Sequence, residues 1–236
     1  MRVSTGVPGF DTLVNGGLLK DRLYIISGPP GSGKTTFCAQ FATKGAIDDE
    51  RTLYLSMHET QEELVNDMSS FEFGFEKAIA SGQVKFLNVL DGDAQRLLST
   101  SSRGSRDVSA NIDNFSNKIV SIVESKGVDR LIIDSTMLLE YYFSDDLDAL
   151  VTFLTKLKRT DATVLLISEM TDPTSYSDAH YLAHGVVFFH NYLEAGEMVR
   201  GIQLIKMRGT PIDCDIREIE FTDRGLRVDP ETKIHS

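Results

Sequence analysis

Short apolar runs alternate with helically spaced apolar positions along most of the chain. That rhythm predicts an α/β protein with a mainly parallel central sheet. Arg22 to Ser27, Thr52 to Met57, Val84 to Val89, Arg130 to Asp134 and Thr163 to Ser168 read as its strands. Between them, a helix starting near Lys34 carries Phe37, Phe41 and Ala42 on one face, and a second runs from about Gln61 to Ser70. Asp113 to Lys126 repeats Phe115, Ile119, Ile122 and Val123 at helical spacing. Leu147 to Leu157 forms the next helix, with Asp145 or Asp146 as its N-cap. After Gly185 the rhythm changes. Val186 to Phe189, Val199 to Met207, Glu218 to Phe221 and Leu226 to Val228 predict a C-terminal β-meander.

Two stretches fit no regular element. Gln95 to Ala110 is serine-rich and holds Arg96, Arg103 and Arg106, and Thr171 to Asp178 is a loop with Pro173. Both read as surface segments, with contact to a partner as the functional alternative. No internal repeat or long linker interrupts the pattern, so residues 1–236 are expected to form one domain.

Composition narrows the function classes. The 236 residues carry 24 basic and 35 acidic side chains, a net charge of −11. That balance argues against a protein whose main task is to coat nucleic acid. No apolar run reaches the roughly 18 residues needed to span a bilayer, and the first residues lack the apolar core of a signal peptide. The two cysteines, Cys38 and Cys214, make no disulfide framework. A reducing cytoplasm is the expected location.

The sharpest chemistry lies in Gly28-Pro29-Pro30-Gly31-Ser32-Gly33-Lys34-Thr35, which matches G-x-x-x-x-G-K-[ST] between a predicted strand and a predicted helix. Glycines let the backbone curl so that N–H groups converge on phosphate oxygens, and the helix N-terminus adds partial positive charge. Lys34 suits the β- and γ-phosphates of ATP, Thr35 suits Mg²⁺, and Thr36 the α-phosphate. A Mg-nucleotide site also needs a carboxylate at a neighbouring strand end, and Asp134 after Leu131-Ile132-Ile133 supplies one. For the proton acceptor in hydrolysis, His58 and Glu59 after the second strand are both candidates. Glu169, after the fifth strand, is a third candidate and could sense the γ-phosphate. In the alternative reading of the His58 corner, Thr60 is an N-cap and Glu59 a solvent-facing charge. His180 and His184 stand four apart, which on a helix would share a face, but no third metal ligand accompanies them.

Together these residues resemble the KaiC-like ATPases of the RecA superfamily, archaeal and bacterial relatives of the cyanobacterial clock protein. The likeness covers nearly the whole chain. It runs from Ser4-Thr5-Gly6-Val7-Pro8-Gly9-Phe10-Asp11 and Gly16-Gly17, through the phosphate loop, His58-Glu59-Thr60 and Ile133-Asp134-Ser135. It ends with Gly196-Glu197-Met198, Lys206-Met207-Arg208-Gly209-Thr210 and Phe221-Thr222-Asp223-Arg224-Gly225, strings that a generic phosphate-loop fold does not require. The resemblance implies a RecA-like core in a hexameric homo-oligomer with ATP at subunit interfaces. Lys206 and Arg208 match residues that reach the neighbour's γ-phosphate, and Met207 and Thr210 belong to the same nucleotide-contacting string. Alternation on a strand lets both cations face one way while Met207 packs inward. By the same match, Ser70, Thr222 and Asp223 fall where relatives contact base or ribose.

The sequence departs from that pattern twice. The family usually has two adjacent glutamates after the second strand, the first acting as base, but here His58 takes the first position. Slow turnover, a base role for Glu59, or binding without turnover would each follow. The clock protein's paired Ser-Thr phosphate acceptor falls near Ala179 to His184, where Tyr181 carries the one hydroxyl, which argues against autokinase activity. The leading expectation is an oligomeric ATPase switch that signals to a regulatory protein partner the sequence does not name. The alternatives are an ATP-sensing scaffold of the archaellum-motor type and a recombinase-like DNA-binding mediator.

Overall fold

Successive residues of the central strands send apolar side chains to opposite faces of one sheet. Tyr24, Ile26, Tyr54, Ile132, Leu165 and Ile167 join one core cluster. Leu23, Ile25, Leu53, Leu55, Leu131, Ile133, Val164 and Leu166 join the other. This period of two explains why the strands read as continuous apolar runs, since both faces are covered by helices. The computed structural model describes residues 1–88, 108–135, 147–194 and 196–234. Asp145, Asp146 and most of the serine- and arginine-rich stretch, with Arg96, Arg103 and Arg106, lie outside the described residues.

The chain opens with β1 (Arg2–Val3), α1 (Phe10–Leu13) and β2 (Leu18–Leu19), where β1 and β2 pair as a small antiparallel sheet. Then come β3 (Leu23–Ser27), α2 (Lys34–Ile47), β4 (Thr52–Ser56), α3 (Gln61–Met68), α4 (Phe75–Ala80) and β5 (Val84–Asn88). Next are α5 (Val108–Lys126), β6 (Arg130–Asp134), α6 (Leu147–Leu157), β7 (Thr163–Ser168) and α7 (Asp178–Leu182). The meander is β8 (Gly185–Glu194), β9 (Glu197–Met207), β10 (Ile216–Thr222) and β11 (Gly225–Ile234). Among the described residues, nine strands form one sheet in the order β11-β10-β9-β8-β3-β7-β6-β4-β5. β8 through β5 in that order are parallel neighbours, and β8 to β11 pair antiparallel. The α/β reading with a terminal meander therefore matches the architecture.

Helices α1 to α4 cover one face, and α5, α6 and α7 the other. Helix α2 is buried on nearly every side because Lys44 is its first charged residue after Lys34 and the N-terminal segment lies over it. Phe37 at its centre meets Phe10 edge-on at 4.9 Å and Phe189 at 5.7 Å. Cys38 is buried in the same core and Cys214 is exposed. No helix among the described residues is long and apolar enough to cross a membrane.

Candidate nucleotide site

The phosphate loop links the end of β3 to the start of α2. Gly33 is the left-handed residue before the helix (φ 105°), and a Cβ there would stand 2.7 Å from the Phe221 ring and 2.9 Å from Leu226. The meander therefore packs directly on the loop, and the positive φ favours glycine there. At Gly28 (φ 142°) a Cβ would lie 2.4 Å from the Phe189 carbonyl oxygen of β8. An open cleft of about 370 Å³ runs from Pro30 and Gly31 past Lys34, Thr35 and Thr36 to Glu169 and Phe221.

Lys34 is buried, and its ammonium donates to the carbonyls of Gly28 and Pro29, both at 2.9 Å, and to Glu169 Oε2 at 3.1 Å. Ser32 is fully buried, and its Oγ has no hydrogen-bond partner. An orphaned buried hydroxyl in a glycine-rich loop at a helix N-terminus suits an oxygen-rich anion, so the loop fits a nucleotide phosphate.

Asp134 ends β6, which is separated from β3 by β7. The expected neighbouring strand is thus one strand further out than the phosphate-loop logic alone suggests. Contact is still made, because Thr35 Oγ1 at the start of α2 donates to Asp134 Oδ2 at 3.1 Å. Tyr54 Oη donates to the same oxygen at 2.7 Å. Burial pushes the Asp134 carboxyl up, the hydrogen bond from Tyr54, the charge of His58 and the hydrogen bond from Thr35 pull it down, and Glu169 adds a smaller upward push.

Glu59 follows β4, whose Ser56 lies directly beside Asp134 in register. Ser56 Oγ accepts from the Glu59 N–H at 2.9 Å, and Asn88 Nδ2 donates to the Glu59 carbonyl at 3.0 Å. Its carboxylate is partly buried and sits 3.9 Å from His58 Nε2. Burial raises its pKa first, His58 opposes that, and Asp134, Asp67 and Glu63 add to it. Thr60 also caps α3: its hydroxyl accepts from the Glu63 N–H at 3.2 Å, and Glu63 returns a bond to the Thr60 N–H at 2.8 Å. The cap expected at Thr60 is therefore present, and Glu59 beside it is partly buried rather than freely solvent-facing.

Carboxylates thus stand at the ends of β4, β6 and β7, with Lys34 as the nearby cation. Among the described residues no group of three or more His, Cys, Asp or Glu side chains could hold a metal by itself. Mg²⁺ rarely needs one, since it takes one or two protein oxygens and completes its shell with phosphates and water. Thr35 and Asp134 present hard oxygens of that kind. A threonine hydroxyl that donates its proton to Asp134 still has lone pairs to offer, so these two residues fit Mg²⁺.

The remaining candidates divide between two places. Thr222 and Asp223 follow Phe221, which lines the cleft, and Ser70 precedes Phe71, whose ring faces Phe221. The Glu72 N–H donates to the Asp223 carbonyl at 2.7 Å, and Thr222 Oγ1 to the Gly225 carbonyl at 3.0 Å. Ser70 Oγ donates to the Asp67 carbonyl at 3.0 Å. Phe221 beside them carries Arg200 over its ring at 5.2 Å and Phe71 at 6.4 Å.

Lys206, Met207, Arg208 and Thr210 lie elsewhere. Lys206 pairs in register with Val186, which pairs with Ile25, below the level of the phosphate loop. Its ammonium donates to the carbonyls of His180 and Tyr181, both at 2.9 Å, and Arg208 Nη2 to Tyr181 at 3.3 Å. Met207 turns into the core beneath α2. The expected alternation is present, although β9 ends at Met207 and Arg208 lies just past it. Thr210 is buried and accepts from Arg2 Nη2 at 3.1 Å. Lys158 Nζ donates to Leu182 at 2.9 Å, so three cations crowd the carbonyl end of α7. His184, pushed down to about 4 by burial first and then by Lys158, Arg22, Arg208 and Lys206, stays neutral there. It lies beyond the end of α7 and accepts from the Leu23 N–H, while His180 Nδ1 meets Ser177. The two histidines do not share a helix face.

Tyr54 and Asn191 are not among the residues the sequence picks out, and Phe221 enters there only as part of the Phe221-to-Gly225 string, with no role of its own. Asn191 Nδ2 would stand 3.8 Å from a Cβ on Gly31. A phenol inside an otherwise aliphatic strand does signal a buried hydroxyl that needs a partner. Asn191 carries no comparable signal, and nothing local shows that Phe221 packs on the phosphate loop.

A parallel sheet with the loop after β3, the carboxylate after β6 and β7 inserted between them defines a phosphate-loop NTPase core of the RecA type. The chain matches the family model described as ATPase: KaiC over residues 3–233, and it belongs to that family. It is 26% identical to the circadian clock oscillator protein KaiC of Synechococcus elongatus, over 97% of this chain and 44% of that protein. The chain spans under half the length of the clock proteins it matches. A UPF0273 protein of Methanocaldococcus jannaschii is 26% identical over 98% of this chain and 97% of its own length. The crystal structure of a KaiC-like protein from Pyrococcus horikoshii OT3 superposes with a TM-score of 0.79 at 27% identity, covering 98% of this chain and 99% of that one.

Proposed function

We propose that residues 1–236 act as one ATPase domain that binds Mg-ATP between copies of the chain and hydrolyses it slowly to ADP and phosphate as an oligomeric switch. One observation carries the interfacial reading. Lys206 faces the side of the sheet opposite α2, beside the carbonyls of α7, so it cannot serve its own phosphate loop. Lys206 and Arg208 can meet a triphosphate only on another copy, in a head-to-tail contact that closes a ring, with a hexamer as the expected size.

Within the site, the Gly28 to Gly33 backbone, Lys34 and Thr36 bind the phosphates. Thr35 and Asp134 would hold Mg²⁺, which supplies charge neutralisation on the β- and γ-phosphates. Glu59 accepts a proton from water as the water oxygen bonds to the γ-phosphorus and the bond to the ADP oxygen breaks. Lys206, Arg208 and the adjoining Met207 and Thr210 approach from the neighbour, and Ser70, Thr222 and Asp223 border base and ribose. One carboxylate beside His58 supports slow turnover.

The second reading, an ATP-sensing scaffold with little turnover, draws on His58 at the position where relatives carry the base. The acidic charge disfavours a DNA mediator, and the single hydroxyl of α7 disfavours autokinase activity. A cytoplasmic location and an unidentified regulatory protein partner complete the proposal.

The test is particle mass by light scattering with and without Mg-ATP, alongside phosphate release, for wild type, Lys34→Ala and the Lys206→Ala, Arg208→Ala double variant. Assembly and turnover should both fall in the double variant. An unchanged mass would remove the interfacial site, and wild-type turnover no higher than that of Lys34→Ala would remove the enzyme.

A further inference from the structure

Tyr54 sits mid-strand in β4, paired in register with Phe86 of β5 and Ile132 of β6. Its fully buried ring stacks on Phe86 at 5.6 Å and 13° and meets Phe75 edge-on at 6.2 Å. Packing alone would be served as well by phenylalanine. The hydroxyl adds one thing, a 2.7 Å hydrogen bond to Asp134 Oδ2. That oxygen also accepts the longer bond from Thr35 Oγ1, at 3.1 Å.

A carboxylate turns readily about its last torsion, which is broad and roughly two-fold. One bond from Thr35, at 3.1 Å, leaves that rotation loosely held, and Thr35 sits at the loop-to-helix junction that borders the cleft. The phenol instead comes from a strand fixed by neighbours on both sides. Two donors from different elements, both on Oδ2, set the plane of the carboxylate.

We propose that Tyr54 is a positioning residue for the divalent cation of the nucleotide site, holding Asp134 so that Thr35 and Asp134 present their oxygens together. This rests on the reading that those two residues hold Mg²⁺ with ATP. Hydrogen-bond partners behind metal ligands typically govern about 10–100-fold in metal affinity.

Tyr54→Phe removes one oxygen and keeps the ring. Mg²⁺ would be titrated calorimetrically into the protein saturated with a non-hydrolysable ATP analogue, and Mn²⁺ binding followed by electron paramagnetic resonance. Analogue affinity would be measured separately in EDTA. The expected result is a metal dissociation constant raised about tenfold or more, with the metal-free nucleotide affinity unchanged. Phe86→Leu, which disturbs the stacking but keeps the hydroxyl, should bind metal like wild type. Equal metal affinity in Tyr54→Phe, an equal loss of nucleotide affinity with and without metal, or a matching metal defect in Phe86→Leu would each overturn the positioning role alone. A wild-type chain that binds no Mg-nucleotide would overturn the site reading with it.

Discussion

Lys34 and Glu169 form an ion pair across the mouth of the phosphate loop, Nζ to Oε2 at 3.1 Å, with the lysine buried and the glutamate partly exposed. Lys34 is also the cation intended for the triphosphate, so Glu169 competes with the ligand for it and repels the ligand's charge. Glu169→Gln should tighten ATP binding by up to about fivefold, the range of an exposed or partly exposed pair. Titration with a fluorescent ATP analogue measures this. Weaker binding would mean that Glu169 contacts the nucleotide complex favourably, as a γ-phosphate sensor does.

Glu59 gives turnover a defined pH dependence. Its pKa lies above that of an ordinary glutamate, chiefly through burial, with His58 opposing the shift. A base must be ionised, so activity is lost as pH falls through this raised value, earlier than a free glutamate would require. Glu59→Gln should erase that acid limb and cut turnover about a hundredfold or more. His58→Ala removes the one lowering influence and should move the limb to higher pH. Phosphate release across pH reads both, and an acid limb that persists in Glu59→Gln would assign the proton acceptor elsewhere.

Much of this site is legible in the sequence because its parts are local. The phosphate loop needs a strand, a glycine turn and a helix in succession, and Asp134 follows its apolar run directly. What is not legible depends on strand order and side-chain reach. The insertion of β7 between β3 and β6 leaves no local trace, and neither does the packing of Phe221 and Leu226 on Gly33. Tyr54 in Thr52-Leu53-Tyr54-Leu55 signals a buried hydroxyl in need of a partner, but nothing local marks that partner as Asp134. The short elements β1, β2, α1, α4 and α7 are too brief to show a period. The meander strands extend past their apolar cores, because β8 and β9 reach Glu194 and Glu197 as a paired hairpin whose polar residues need only the ladder.

Arg130 anchors the opposite end of the sheet, and its loss should be costly. The guanidinium is almost fully buried and donates to Glu50 Oε2 at 2.6 Å, to the Ser4 carbonyl at 3.0 Å and to the Phe41 carbonyl at 2.7 Å, while lying over the Phe41 ring at 4.4 Å. Burial lowers its pKa, with Glu50 as the main opposing influence. Arg130→Met strands two carbonyls and a carboxylate and should cost about 3 kcal/mol. Arg130→Lys keeps the charge without the planar fork and should cost about half that. Urea unfolding checks both, and a loss below about 1 kcal/mol for Arg130→Met would show that water replaces the fork.

The interfacial site makes its strongest prediction for mixtures. Glu59→Gln keeps the phosphate loop and the Lys206 and Arg208 cations but lacks the base. The Lys206→Ala, Arg208→Ala double variant keeps the base and lacks the cations. Each alone should hydrolyse ATP poorly. In a mixed ring, a loop and base from the double variant can face the cations of a Glu59→Gln neighbour, and that interface is complete. Equal and random incorporation of the two variants would make about a quarter of interfaces complete in a head-to-tail ring, and because the double variant assembles less well that quarter is the upper limit. Phosphate release from the mixture should therefore rise toward about a quarter of the wild-type rate if sites act independently. A site built within one chain gives no such gain, because neither variant contains both halves. A mixture that stays at the average of its two components, with mixed assembly confirmed by mass, would place Lys206 and Arg208 outside the catalytic site.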